Sequence, residues 1–354
     1  MTVSLKPLSD QVMVIVGASS GIGLATARRA AAAGAKVVLA ARNNEALDEV
    51  VVAIRNKGGQ ATAVDLDIAD EGAAEKLLAH ALESFGRVDS WVNDAAAAMY
   101  ARLEQVSIEE HRRVFDVGYF GLVEASLVAA RHLRANGGAL INIGSVLSNR
   151  AIPLQGPYCA MKAAVMQFTD TLRMELEQEG APVSVTLIKP AAIDTMYPEH
   201  ARNKLDNPAR LPQPLYDAEL VAKAICFAAT HKRRTLIVGG GGLGISALAP
   251  LMPRIADKGM ELVGGEASQT TTVPPAPGTS DNLFEARNDG RVEGNQEPFK
   301  RRTSMFLEAQ MHPVATAAIV GGVAAASAFL WTRRPVEDVG TAEARRRIRA
   351  AGMS

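Results

Sequence analysis

A chain of 354 residues, 48% hydrophobic and 21% charged, holds enough apolar material for one large core and is long for a single domain. Its 38 Lys+Arg balance 38 Asp+Glu, so no global field recruits nucleic acid or a charged substrate, and 5% aromatic content argues against base-stacking platforms. Cys159 and Cys226 can pair at most once, which excludes a disulfide framework and points to reduced thiols.

The N-terminal run MTVSLKPLSDQVMVIVG lacks the charged and long apolar regions of a signal peptide, so the catalytic part is expected in the cytoplasm. From residue 12 to 238, short β-branched runs alternate with Ala-rich helical stretches. Strands are predicted at 12–16, 36–41, 62–66, 90–93, 139–145, 183–188 and 235–238, several of them nearly continuous apolar runs, as in strands buried on both faces. Helices are predicted between them, such as 22–33 stopped by Gly34 and 158–178 followed by Gly180. The alternation implies an α/β fold, a Rossmann-like doubly wound parallel sheet, with its ligand site beyond the carboxyl ends of the strands.

The first strand runs into Gly17-Ala18-Ser19-Ser20-Gly21-Ile22-Gly23, which opens a helix. Gly17 permits a sharp turn, Gly21 lets the backbone approach a pyrophosphate, and Gly23 permits close helix packing. Exposed N–H groups at the helix start favour an anion beside Ser19, Ser20 and Ile22. At the end of the second strand, an acidic residue would hold the ribose of NAD(H) and repel a 2′-phosphate. Ala41-Arg42 stands there instead, and a guanidinium that can fork onto phosphate favours NADP(H) over NAD(H).

Further along, Tyr158-Cys159-Ala160-Met161-Lys162 places Tyr158 and Lys162 one helical turn apart. An ammonium near a phenol favours the phenolate, which suits proton exchange with a carbonyl or alcohol oxygen. Ser145, at the end of the preceding predicted strand, is expected in the same crevice, where it can orient the substrate oxygen. Cys159 is expected to pack on the opposite helix face, and the six histidines show no metal-ligand spacing.

With these motifs the chain resembles the short-chain dehydrogenase/reductase (SDR) family over about residues 6–240. The resemblance implies a catalytic set of Ser145, Tyr158 and Lys162, with Lys162 also holding the nicotinamide ribose. It implies cofactor contacts at Gly17, Gly21 and Gly23, at Asp67 with Ile68 beside it, and at Asn93 and Ala95 of the stretch Asn93-Asp94-Ala95-Ala96, where the family has Asn-Asn-Ala-Gly. Pro190-Ala191, followed by Ile193 and Thr195, stands for the Pro-Gly motif beside the nicotinamide. It further implies a small-molecule carbonyl or alcohol substrate and a homo-oligomer. Ala96 and Ala191 replace glycines. Gly118 occupies the place of an asparagine that, in many members, keeps a helix kink and holds a water in the proton relay behind the lysine. An active oxidoreductase is therefore expected, and a catalytically weak dinucleotide-binding scaffold is the alternative.

The substrate loop is expected in residues 190–216, with Tyr197, Leu205, Leu211 and Leu215 as candidates to line an apolar pocket. The domain is expected to occupy residues 1–264. Residues 265–312, with Pro274, Pro275, Pro277 and Pro298 among many polar residues, read as a disordered linker. Residues 313–333 form an Ala/Gly-rich apolar helix flanked by arginines, expected to meet a membrane as an anchor or surface helix and to bring a lipophilic substrate within reach. Residues 334–354 form a basic tail with Arg345, Arg346, Arg347 and Arg349.

Overall fold

The computed structural model describes residues 3–240, 249, 251–273, 280–287, 290–295, 299–332 and 349–351, the side chains of 328–332 excepted. Seven strands, numbered in chain order, form one sheet: β1 (Val12–Val16), β2 (Lys36–Ala41), β3 (Gln60–Asp65), β4 (Ser90–Asn93), β5 (Gly138–Ile143), β6 (Val183–Pro190) and β7 (Thr235–Val238). Their spatial order is β7-β6-β5-β4-β1-β2-β3 and every neighbouring pair is parallel. The order reverses beside β1, which pairs Val12 with Lys36 of β2 on one edge and Met13 with Ser90 of β4 on the other. A crevice opens at such a switch point because the crossover helices leave in opposite directions.

Alternation along each strand sends successive side chains to opposite faces, and both faces are covered. On one face Met13, Ile15, Val37, Leu39 and Ile141 pack against Leu24 of α1 (Gly21–Ala32), Leu47 and Val50 of α2 (Asn44–Asn56), and Val221 and Ile225 of a later helix, Ala218–Ala228. On the other, Val14, Val16, Val38, Trp91 and Leu140 meet Leu77 of α3 (Ala73–Phe85), Val114 of α4 (Ile108–Phe115), Leu133 of α5 (Gly121–Asn136) and Val165 of α6 (Gly156–Gln178). The doubly wound sheet expected from the sequence is therefore the fold. Four strand ranges agree to the residue. β3 starts two residues early, as a half-exposed edge strand, and β5 stops at Ile143, where Gly144 turns its N–H to the Ile188 carbonyl at 2.8 Å.

The chain divides into two units, residues 1–311 and 312–354. Within residues 265–312, expected as a disordered linker, the described stretches up to residue 311 contribute ordered structure to the first unit. Gln269, Leu283 and Leu307 are fully buried. Lys300–Arg301 pairs in parallel with Leu215–Asp217, and the Gln310 amide of Met305–Met311 bonds both Ile237 N–H and its carbonyl at 2.9 Å. A few isolated anchors and backbone hydrogen bonds hold the segment, so apolar periodicity does not reveal it. Pro274, Pro275, Pro277 and Pro298 lie outside the described residues, as does most of the basic tail, with Arg345, Arg346 and Arg347. The second unit contains the helix Pro313–Thr332. Among the described residues no single helix is long and apolar enough to cross a membrane.

Candidate active site

A cavity of about 540 Å³ lies beyond the carboxyl ends of β1, β2, β4, β5 and β6. One end is lined by the loop between β1 and α1, with Gly17, Ser19, Ser20, Gly21 and Ile22, and by Arg42, Asp67, Ile68 and Ala95. The glycines are needed for space. Gly17 sits at φ +91°, and a Cβ on it would fall 2.8 Å from Ala95 N. A Cβ on Gly23 would fall 2.1 Å from the Gly17 carbonyl oxygen, so Gly23 serves packing and does not itself line the cavity. Ser20 starts α1 in extended conformation without a side-chain capping bond; the Arg291 carbonyl takes Gly21 N–H at 2.9 Å, and Ile22 at the helix start lines the cavity. An extended anion-bearing dinucleotide fits this cradle.

At the end of β2, Arg42 stands 3.7 Å from the Asp67 carboxylate. Asp67 also accepts hydrogen bonds from Arg113 and from Ala69 N–H. Burial pushes the Asp67 carboxyl up, but Arg113, Ala69 and Arg42 together hold it below the usual carboxylate range. Asn93 departs from its expected place. Its amide is buried away from the cavity and bonds Ser126 Oγ at 3.0 Å and Asn142 Oδ1 at 2.9 Å, tying β4 to β5 and α5.

At the other end the cavity gathers Ser145, Tyr158, Lys162, Pro190, Ile193 and Thr195. Ser145 follows β5 and caps a short turn, its Oγ accepting from Leu147 N–H at 3.1 Å. Tyr158 and Lys162 lie in the first turns of α6. The Lys162 ammonium is 2% exposed, donates to the Ile143 carbonyl at 2.6 Å and sits 5.7 Å from the centre of the Tyr158 ring. Burial pushes it below the usual lysine range, against the opposing pull of Asp94. The Tyr158 phenol is shifted up, not down as the Tyr–Lys spacing suggests. Burial raises it, a hydrogen bond with Ser145 opposes that, and the nearby Asp94 charge adds to the rise.

Asp94 was not singled out by its sequence position, yet it lines the cavity between the two ends. Its carboxylate accepts from Gly23 N–H, and burial pushes it well above the usual carboxylate range. The signal was present as an acidic residue in the Asn-Asn-Ala-Gly place.

Gly118 lies in a π-helical turn, Asp116–Phe120, between α4 and α5. A Cβ on Gly118 would fall 2.6 Å from Met161 Cε and 2.7 Å from its sulfur. The fully buried Met161 thus fills the room an asparagine would need, and the kink persists as a π-turn.

The substrate end is apolar, walled by Leu147, Ile152, Met196, Tyr197 and Leu211. Of the four candidates in the loop, Tyr197 and Leu211 line the cavity. Leu215 is buried in its own strand, and Leu205 packs beside Tyr100. Tyr197 stands edge-on to Tyr158, with ring centres 5.3 Å apart, and its hydroxyl donates to Gln155 at 2.8 Å. Met260 and Val263, from the helix Pro253–Val263, close this end, while Asn282, Ala286 and Arg287 line the cofactor end. These come from beyond residue 240 and carry no motif. Cys159 packs with Ile152 and Met260 outside the cavity lining.

A sequence profile described as short chain dehydrogenase matches residues 11–206. The chain is 42% identical over 324 residues, 91% of each chain, to a Bacillus subtilis (strain 168) protein named uncharacterized oxidoreductase YxnA. Among solved structures it resembles a short chain dehydrogenase/reductase from Burkholderia phymatum in complex with NAD, with 27% identity and a TM-score of 0.65 over 71% of this chain and 96% of that one. It also resembles an alcohol dehydrogenase from the archaeon Thermococcus sibiricus complexed with 5-hydroxy-NADP, with 27% identity and a TM-score of 0.57 over 64% of this chain and 95% of that one.

Proposed function

Since the chain belongs to the short chain dehydrogenase family, we propose that it interconverts a carbonyl and an alcohol using a nicotinamide dinucleotide, NADP(H) in preference to NAD(H). One observation carries the reading: a single cavity has the glycine loop and α1 N-terminus at one end and Ser145, Tyr158 and Lys162 at the other. When bound, the nicotinamide supplies or takes the hydride. The loop Gly17–Ser20 and Ile22 at the start of α1 would hold the pyrophosphate, Arg42 the ribose end, and Thr195 and Lys162 the nicotinamide end.

The chain's own groups handle the proton. Ser145 Oγ orients the substrate oxygen beside the Tyr158 hydroxyl. That phenol is protonated at neutral pH, as a proton donor to a carbonyl oxygen requires, and burial shifts it further up. Lys162, buried and cationic, stabilises the phenolate left behind. Leu147, Ile152, Tyr197, Met260 and Val263 exclude water and favour a lipophilic carbonyl substrate. The NADP(H) preference is supported by Ala41-Arg42, a neutral residue and a guanidinium at the end of β2.

The test is turnover of a panel of ketones, aldehydes and steroid or lipid carbonyls with NADPH or NADH. Tyr158→Phe is expected to lower turnover by roughly 10²–10⁴-fold while NADPH still binds, the usual scale for a lost general acid. Arg42→Ala is expected to weaken NADPH selectively, by roughly 10-fold or more for a lost charge-assisted pair. Tighter binding of NADH than NADPH by the native protein would defeat the cofactor preference. Dinucleotide binding without turnover of any panel member would replace the enzyme with the scaffold.

A further inference from the structure

Of residues 280–287 and 290–295, Asn282, Ala286 and Arg287 line the cavity, and Gly294 lies close to the Thr195 carbonyl. At the Arg42 end the segment offers backbone carbonyls to three side chains. Asn282 and Phe284 accept from the Arg42 guanidinium at 2.6 and 3.2 Å, Leu283 accepts from Arg113 Nε at 2.9 Å, and Arg287 accepts from the Asn43 amide. At the glycine loop, the Arg291 carbonyl accepts from Gly21 N–H at 2.9 Å. Near the reactive end, Glu199 of the substrate loop latches the segment. Its carboxylate takes the Arg291 guanidinium at 3.0 Å and Asn295 N–H at 2.7 Å, and its carbonyl takes Arg287 at 2.7 Å. Leu283 is fully buried and pins the middle of the first stretch, while Asn282, Ala286 and Arg287 face into the cavity.

We propose that this C-terminal strap is the outer wall of the dinucleotide site, with Glu199 as the positioning residue that holds it shut. The inference rests on the reading of the cavity as a dinucleotide site. Two features favour a role in binding over mere coverage. The strap's partners Arg42, Asn43 and Gly21 border the place for the ribose and pyrophosphate, so the strap fixes the posture in which they meet the ligand. Its own Arg287 brings a cationic side chain to the cavity wall, complementary to an anionic pyrophosphate. The adenosine half of the ligand is then held between strap and sheet, and it leaves only when the strap lets go.

The experiment uses the full-length protein and stopped-flow NADPH fluorescence. Glu199→Ala is expected to speed NADPH dissociation by about tenfold, equivalent to about 1.4 kcal/mol. The cofactor KM should rise with it, and the KM of the carbonyl substrate should move less than twofold. Glu199→Gln, which keeps an acceptor for Asn295 N–H, should recover part of the loss. Amide exchange of the native protein gives a reading independent of any variant: exchange in 280–295 should slow when NADPH is added. An unchanged dissociation rate in Glu199→Ala, or exchange in 280–295 indifferent to NADPH, overturns the strap while leaving the cofactor reading intact. Failure of the native protein to bind either dinucleotide overturns both.

Discussion

Asp94 is the residue whose chemistry departs furthest from what the motifs suggest. An asparagine there would be neutral, whereas a carboxylate puts a negative charge near both Lys162 and Tyr158 and favours the protonated form of each. Removing the charge in Asp94→Asn should therefore lower both affinities for protons. In the alcohol-oxidising direction, where Tyr158 must accept a proton, the rising limb of the pH–kcat/KM profile should move to lower pH. A profile that stays in place, or moves up, would show that Asp94 does not act on this pair. At this scale the sequence was legible where spacing and chemistry coincide: Ser145, Tyr158, Lys162 and the glycine loop meet in one cavity. It misled where burial decides. Asn93 turns into the core because Ser126 and Asn142 offer buried partners, and burial outweighs the Ser145 hydrogen bond at the Tyr158 phenol.

Among the elements, the π-turn Asp116–Phe120 and α6 are fitted to each other through Gly118 and Met161. Putting back the asparagine in Gly118→Asn is expected to destabilise the protein by about 1 kcal/mol, since the buried end of Met161 must give way to admit it. The double variant with Met161→Ala should recover at least about 0.5 kcal/mol of that through coupling of the two sites. Urea denaturation of the four species measures the cycle, and strict additivity would mean the side chains do not compete. A single sequence displays Gly118 as a missing group, while the structure shows that the group's volume has moved to the facing helix. Strands were legible for a simpler reason. β1, β2 and β7 are short runs rich in β-branched residues and bounded by turns, and both faces of the sheet are covered, so near-continuous apolarity marks them.

Across the whole molecule, charges join parts that are distant in the chain. Glu110 of α4 is 5% exposed and pairs with Lys204 at 2.7 Å and Arg202 at 3.2 Å, and Arg202 in turn holds Asp281 of the strap at 2.9 Å. Burial opposes ionisation of Glu110, but Lys204, Ser107 N–H and Arg202 outweigh it and hold the carboxyl at about 2. A folded-state value below that of the unfolded chain, about 4.3, means the stabilisation is complete above that pH and disappears as pH falls through about 2. The Tm difference between the native protein and Glu110→Gln should therefore be steady near neutrality and shrink steadily below about pH 4.5. A difference independent of pH would rule out the linkage. Residues beyond 240 were the least legible at this scale, because isolated anchors such as Leu283 and Leu307 hold them and leave no period to read. Their position has a consequence for biosynthesis. The sheet is complete at Val238, but Met260, Val263, Asn282, Ala286 and Arg287 still have to close the cavity. At about 5–20 residues per second, the ribosome needs roughly 2.5–10 s more to deliver them. For that interval the nascent chain carries a finished scaffold with an open cleft, so a stop codon in this stretch would leave the fold largely encoded and the site unwalled.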